Sequence, residues 1–516
     1  MVTTSRRDFL KTGSAGVAAA AAFAVLGPLG EARAQSESGV LRMAWSGSAQ
    51  ILDPASQNLL DEFQFSRLVY ETLTELGSDM VPKPLLAKTW TVSDDGLTWT
   101  FTLADDAKFH SGKPFTADDV EFTFSRLLDP ENPVNGSSFY DAVKSVQAVD
   151  DHTVAFELKY PYADFLTALA LNYGSILPAG ATKESLANAP DGTGPYQMTE
   201  FVPGTRLVYK GNKDYRTPEA VGLDEIRQET IAQANAQISS LTSGHVDLIN
   251  QVSPQFVPQL DGRKGLALEK SSGAGFHSVY INTSDERFAK PQVREAMRLM
   301  MDRPALAQIA YAGLATPTAD NVILTSNPFF DADVKPPAVD VEKAKALMAE
   351  AGYPSGFSAN IYTTTERFGL QKMAVAYAAM LKPIGIDLKI VTWTNGDLGT
   401  QAYRKKELVT FYWGVQAGAD ASVAPFYESN GSYNGGASEP PYFSDPELDE
   451  LIHQGKVELD TNKRKAIYDK IQEIIATRGY VLVPYEVPLV VALSEKVQNF
   501  HAFPRGFHDF KYVTIA

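Results

Sequence analysis

The chain has 516 residues with 44% hydrophobic content, enough for two or three domains that each bury a core of their own. Its 46 basic and 62 acidic residues give a formal net charge of −16, which argues against nucleic acid and anionic membrane as partners. Cysteine is absent, which removes disulfides, thiol catalysis, cysteine metal sites and a lipid-modified cysteine together.

Residues Ser5-Arg6-Arg7-Asp8-Phe9-Leu10-Lys11 precede an Ala/Gly/Val-rich run over 13–30 and then Ala32-Arg33-Ala34. A basic start, a short weakly apolar stretch and an A-x-A site mark a cleaved export signal over residues 1–34, and the paired arginines point to the twin-arginine route. Gly27, Pro28 and Gly30 break the run, so it makes a poor membrane span. The expectation is a soluble periplasmic protein that begins near Gln35 and has no lipid anchor.

Residues 41–45 read as a short apolar strand, and Ile51-Leu52-Asp53-Pro54 ends the loop after it, with Asp53 as a turn or capping residue. Phe65, Leu68, Val69 and Leu73 stand at helical spacing, which predicts a packed helix over 63–76. The most strongly patterned stretch is 90–128. Trp90-Thr91-Val92-Ser93 reads as a strand, Asp94-Asp95-Gly96 as a turn, and 97–103 as the return strand. In that return strand Leu97, Trp99, Phe101 and Leu103 alternate with threonines. After Phe109-His110-Ser111-Gly112-Lys113-Pro114-Phe115, Thr116 caps a helix whose buried stripe is Val120, Phe124, Leu127 and Leu128.

This stretch resembles the signature of the extracellular solute-binding proteins of the peptide/nickel class, which deliver ligands to ABC importers. The matching residues are Ala87, Trp90, Asp95, Gly96, Trp99, Phe101, Leu103, Lys108 to His110, Gly112, Pro114, Thr116, Ala117, Asp119, Val120 and Phe122. Leu52-Asp53-Pro54 and Tyr70-Glu71-Thr72-Leu73 also resemble family segments. Further on, a second hairpin is expected over 143–158. Asp191-Gly192-Thr193-Gly194-Pro195-Tyr196 follows as a tight backbone crossing that resembles the family's re-entry from its accessory domain. Residues 226–230, a helix over 232–242 stopped by Gly244, and 246–249 form a strand–helix–strand unit that implies parallel pairing.

The likeness continues through the strand 276–282 with Asn282-Thr283, the helix capped by Asp340 and stopped at Ala351-Gly352-Tyr353-Pro354, the helical pair from 445 to 475, and the strand 480–485. It implies an α/β, two-lobed periplasmic binding protein fold with an additional inserted domain, three domains in all, and two crossing hinge strands near 276–280 and 483–485. The first lobe would take residues 35–70, 192–276 and 485–516, the accessory domain 71–191, and the second lobe 277–484.

Pocket residues are expected on loops that follow strands facing the cleft. The run from Phe411 to Asp420, a strand entering a Gly-rich loop with an acidic end, is the best candidate. Peptide-binding members resemble it and pair an aspartate there with the ligand's α-amino group. Asp420 stands one residue off that position with Ala421 in place of proline, and reads equally as a loop aspartate bonded to its own backbone. Arg367 is a candidate for bidentate contact with an anionic group, or a surface arginine. Trp45, Trp393, Trp413, Tyr433 and Asn434 are candidates for stacking on, or hydrogen bonding to, a peptide or sugar, with core packing the competing role for each tryptophan.

Seven histidines lie scattered without a paired metal motif, and no G-x-S-x-G elbow occurs, so neither a catalytic residue, a metal site nor a cofactor is expected. The expected protein is a monomer that captures a peptide or similar small polar solute for ABC permease subunits in the inner membrane and meets no nucleic acid. A sugar conjugate or metal chelate as ligand, a sensor-linked receptor and a periplasmic hydrolase remain the alternatives.

Overall fold

In the computed structural model, which describes residues 39–436 and 441–516, the alternation at 97–103 has the consequence its pattern demands. Thr98–Leu103 turns Trp99, Phe101 and Leu103 inward and pairs antiparallel with Ala87–Val92, Trp90 opposite Phe101. Gly96 closes the turn at φ 71°, a left-handed conformation that glycine adopts without a Cβ clash. Thr153–Leu158 and Val143–Asp150 extend this sheet to four strands. The helix Ala117–Leu127 covers it: Thr116 N donates to Asp119 Oδ2 at 2.9 Å at its start, and Val120, Phe124 and Leu127 are buried. Phe124 meets Phe156 edge-on at 4.9 Å, so the hairpins and the helix share one core. The export-signal reading of residues 1–34 lies outside the described residues.

A seven-stranded sheet is organised around Val40–Trp45, which pairs in parallel with Glu225–Thr230 on one side and Leu248–Ile249 on the other. Leu41, Met43 and Trp45 face one core and Ala44 another, the two-sided burial usual for a parallel strand. The strand–helix–strand unit is present, with the helix Ala234–Ser243 ended by Gly244 at φ 76°, but Val40–Trp45 lies between its two strands. The helix read over 63–76 is shorter and starts earlier, Leu60–Val69. The Glu62 carboxylate takes the backbone N–H groups of Asn58 and Leu59 at 2.8 and 3.0 Å and so fixes the start. At the other end the Val69 carbonyl accepts from Gly194 N at 2.9 Å. A Cβ at Gly192 would stand 2.0 Å from that oxygen, so the glycines of this crossing occupy the space of another helical turn.

The six-stranded sheet has Gly275–Ile281 between Val481–Val487 and Leu408–Gly414, antiparallel to both, and then Phe357–Thr363 and Ile386–Thr392 in parallel. One face is covered by Pro291–Leu299, Arg303–Tyr311, Val341–Glu350 and Leu370–Leu381. The other is covered by Ala419–Tyr427, Pro446–Val457 and Thr461–Arg478. Asp340 caps its helix as read, its Oδ1 accepting from Lys343 N at 2.9 Å. Beside this sheet the buried Asp320 accepts from Arg298 Nε and Arg303 Nη2 at 2.8 Å each and from Val483 N at 2.8 Å.

The chain passes between the two large sheets at 271–274 and 488–489, where Ser271 N donates to Leu489 O and Ala274 N to Val487 O, both at 3.0 Å. These crossings lie just outside 276–280 and 483–485, the hinge spans suggested by the sequence, because Val481–Val487 pairs along Gly275–Ile281 within the six-stranded sheet. The architecture is mixed α/β with several sheets and separate cores. No helix among the described residues is long and apolar enough to cross a membrane.

Candidate functional site

Parallel strands present their carboxyl ends to the same edge of a sheet, and ligands in open α/β folds gather beyond that edge. Here two such edges meet. Ser46 follows Val40–Trp45 and Gln251 follows Leu248–Ile249 in the seven-stranded sheet. Arg367 follows Phe357–Thr363 and Val415 follows Leu408–Gly414 in the six-stranded one. Between them lies a cavity of about 520 Å³, floored by the crossings at Ala274, Pro488 and Leu489 and closed by residues 504–507.

The charges of this cavity are one-sided. Among its lining residues Arg367 and Arg505 are the cations, and no aspartate or glutamate lines it. The Arg367 guanidinium lies over the Tyr412 ring at 5.7 Å and that of Arg505 over Phe507 at 5.2 Å, contacts that leave guanidinium edges free for a ligand. Burial pushes the Arg505 guanidinium down to about 10; the Tyr173 phenol opposes this and the Arg67 charge adds to it. His277 brings no charge, since burial pushes its imidazole down to about 3; its Nδ1 shares a 2.8 Å hydrogen bond with the Tyr485 hydroxyl. The walls are apolar and aromatic, with Tyr311 edge-on to Phe368 at 5.5 Å and Phe63 tilted on Phe507 at 5.7 Å. A site of this kind attracts an anionic group and binds it by paired hydrogen bonds while sheltering an apolar part.

A family model described as bacterial extracellular solute-binding proteins, family 5 Middle, matches residues 81–435. The chain belongs to that family. Members of family 5 are binding proteins that serve ABC importers. The glutathione-binding protein GsiB of Escherichia coli strain K12 is 28% identical over 463 residues, 88% of this chain and 90% of that protein. The solved structure of HbpA2 from Haemophilus parasuis has a TM-score of 0.83 at 26% identity, covering 92% of this chain and 100% of that one. AgaA from A. tumefaciens R10, solved in complex with agropinic acid, has a TM-score of 0.74 at 26% identity, covering 93% and 99%.

Of the residues singled out from the sequence of this family 5 protein, Arg367 lines the cavity directly. Trp45 is buried and lines an adjoining cavity of about 220 Å³, which shares Ser46, Leu60 and Gln251 with the main one. Asp420 lies in the first turn of Ala419–Tyr427 and borders a further cavity of about 210 Å³ with Asp164 and Lys456. Gln416 and Arg505 line both that cavity and the main one. Asp420 N donates to Asp164 Oδ2 at 3.0 Å, while its own Oδ1 is buried without a hydrogen-bond partner among the described residues. Burial pushes its carboxyl up to about 6; the Lys456 charge opposes this, and Asp164 and Glu428 add to it.

The other four candidates stand elsewhere. Trp413 points to the opposite face of its strand from Tyr412 and joins an aromatic cluster, 4.3 Å from Tyr433 and 5.3 Å from Phe426 between ring centroids. Asn434 is buried and ties its loop together, Nδ2 donating to Phe443 O at 2.7 Å and Oδ1 accepting from Phe443 N at 2.9 Å. Trp393 packs edge-on against Tyr362 at 4.9 Å in a small cluster with Leu398 and Val409. Tyr412 and Gln416 belong to the 411–420 run expected at the pocket but are not among its individual candidates, and Arg505 lies outside every span expected there. The period of two along 411–413 says that only one of Tyr412 and Trp413 faces the cleft, but not which. Nothing local marks Arg505, which lies 138 positions from Arg367.

Proposed function

We propose that this protein captures a small solute carrying an anionic group, a peptide or a similar polar compound, between two lobes and presents it unchanged to an ABC permease in the inner membrane. The observation that carries the reading is the interlobe cavity with two arginines and no carboxylate in its lining, in a chain of net charge −16. Glutathione and agropinic acid, named with two of the relatives, are both carboxylic acids, which supports the same ligand class. Arg367 meets the anionic group, and Asp420, across Gln416 and Arg505, takes an amine when the ligand has one. The lobes are residues 35–70, 192–276 and 485–516 against 277–484, with 71–191 as the inserted domain. Residues 1–34 direct export by the twin-arginine route, and the protein works in the periplasm as a monomer without a lipid anchor.

The test is mass spectrometry of the ligand released by mild unfolding of the purified protein, followed by calorimetry with the identified compound and with alanyl dipeptides. An acid recovered unchanged at no more than one equivalent agrees with the proposal. A ligand without any anionic group, or product in excess over protein, overturns it.

A further inference from the structure

The 220 Å³ cavity beside the main cleft contains a carboxylate that the fold does not use. Asp61 stands in the first turn of the helix Leu60–Val69 and is 7% exposed. Its neighbour Glu62 is fully engaged, accepting backbone N–H groups from Gln50, Ile51, Asn58 and Leu59. Asp61 has no ion pair and no side-chain hydrogen bond to another residue among the described residues; its carboxyl is met only by its own backbone N–H, and the charged group acting on it is Glu62, of the same sign. Helix N-terminal placement accounts for an acid at this position on a wet surface, but not for burying it against a cavity.

Two further polar groups at the same cavity are left open. Trp45 is 3% exposed and its Nε1 has no partner, and Asn250 is 5% exposed with its Oδ1 unpartnered while Nδ2 donates to Gly506 O at 3.2 Å. Gly47 makes room for the arrangement: a Cβ there would stand 2.2 Å from Asp61 Oδ2. A side chain at 47 would therefore displace the carboxylate from the cavity wall.

Resting on the reading of the main cavity as the ligand cleft, we infer that the 220 Å³ cavity is a second subsite in the first lobe, where Asp61 receives a primary ammonium group on a flexible arm of the ligand. Asn250 Oδ1 is a second acceptor for the same N–H groups. The shared residues Ser46, Leu60 and Gln251 make the passage from the main cleft, so one ligand spans both. The cleft is thereby sorted by charge, with guanidiniums at the interlobe end and a carboxylate at the first-lobe end.

The test compares alanyl-lysine with alanyl-norleucine, which differ only in the terminal ammonium, by calorimetry on wild type, Asp61→Asn and Asp420→Asn. The wild type is expected to prefer alanyl-lysine by roughly tenfold or more, a charge-assisted pair formed at a desolvated acid. Asp61→Asn abolishes that preference with little change for alanyl-norleucine, while Asp420→Asn weakens both peptides equally and keeps it. An unchanged preference in Asp61→Asn overturns the inference and leaves the peptide reading intact. If neither dipeptide binds wild type, the peptide reading fails, and crystals soaked with n-butylammonium or n-butanol decide the subsite. Butylammonium density at Asp61 that is absent in Asp61→Asn supports it, and no density, or equal density for the alcohol, overturns it. A variant that does not fold is replaced by Gly47→Ala, whose Cβ would stand 2.2 Å from Asp61 Oδ2 and push the carboxylate aside, and which is expected to remove the lysine preference in the same way.

Discussion

Asp420→Asn should make the protein more stable at neutral pH while making it a poorer binder of amines. The carboxyl is 7% exposed, has one unpartnered oxygen and lies near Asp164, and burial raises it from 3.8 to about 6. A carboxyl raised on folding favours the folded state only while it is protonated, so its relative benefit is complete below about pH 4 and is lost as pH rises through about 6. Taking 1.36 kcal/mol per tenfold in proton affinity, the ionised group costs about 1 kcal/mol at pH 4.5 and roughly 3 kcal/mol at pH 7.5. Asparagine keeps the size and shape without the titration. For a chain of this size a kcal/mol corresponds to roughly 1 °C in melting temperature. Scanning calorimetry should therefore place Asp420→Asn about 3 °C above wild type at pH 7.5 and about 1 °C above it at pH 4.5. The same variant should bind a free-amine dipeptide at least roughly tenfold more weakly, since a buried charge-assisted pair is worth about 1.5–3 kcal/mol. Melting temperatures that run in parallel across this pH range would refute the assignment of a desolvated acid. Raised stability with unchanged amine affinity would refute its role as partner.

Arg367→Ala and Arg505→Met should each weaken an anionic ligand by on the order of tenfold or more and flatten the salt dependence of binding, read by calorimetry at low and high ionic strength. Asp320→Ala leaves Arg298 and Arg303 buried without their carboxylate and should cost about 3–5 kcal/mol in urea unfolding, with no direct loss of ligand contacts since Asp320 does not line the cavity. Small-angle scattering should show a smaller radius of gyration with saturating ligand, from rigid-body closure about 271–274 and 488–489. An unchanged profile would place the motion, if any, within a loop.

The amino-acid sequence alone determines those parts of this protein whose physics is local. The alternation at 97–103, the Asp340 cap and Gly244 as helix stop each depend on residues within a few positions, and each is realised; Thr116 takes the N-cap position, with the Asp119 carboxylate rather than its own hydroxyl making the capping bond. The family signature lies in the same segments, which is why fold class and solute binding are legible there. Helix ends were less so: nothing in 63–76 says that the Val69 carbonyl is claimed by Gly194, 125 positions away. The binding cleft is the extreme case, because its chemistry is set by which side chains converge from separate elements. Tyr412 and Trp413 are adjacent aromatics, and only the packing of three helices behind the six-stranded sheet sends Trp413 into the core and leaves Tyr412 under Arg367. Asp61 and Glu62 are adjacent acids at a helix start, and only the tertiary contacts engage one fully and leave the other facing a cavity. Pairing of a charge is a property of its surroundings in space, and those surroundings come from strands and loops that the sequence keeps far apart.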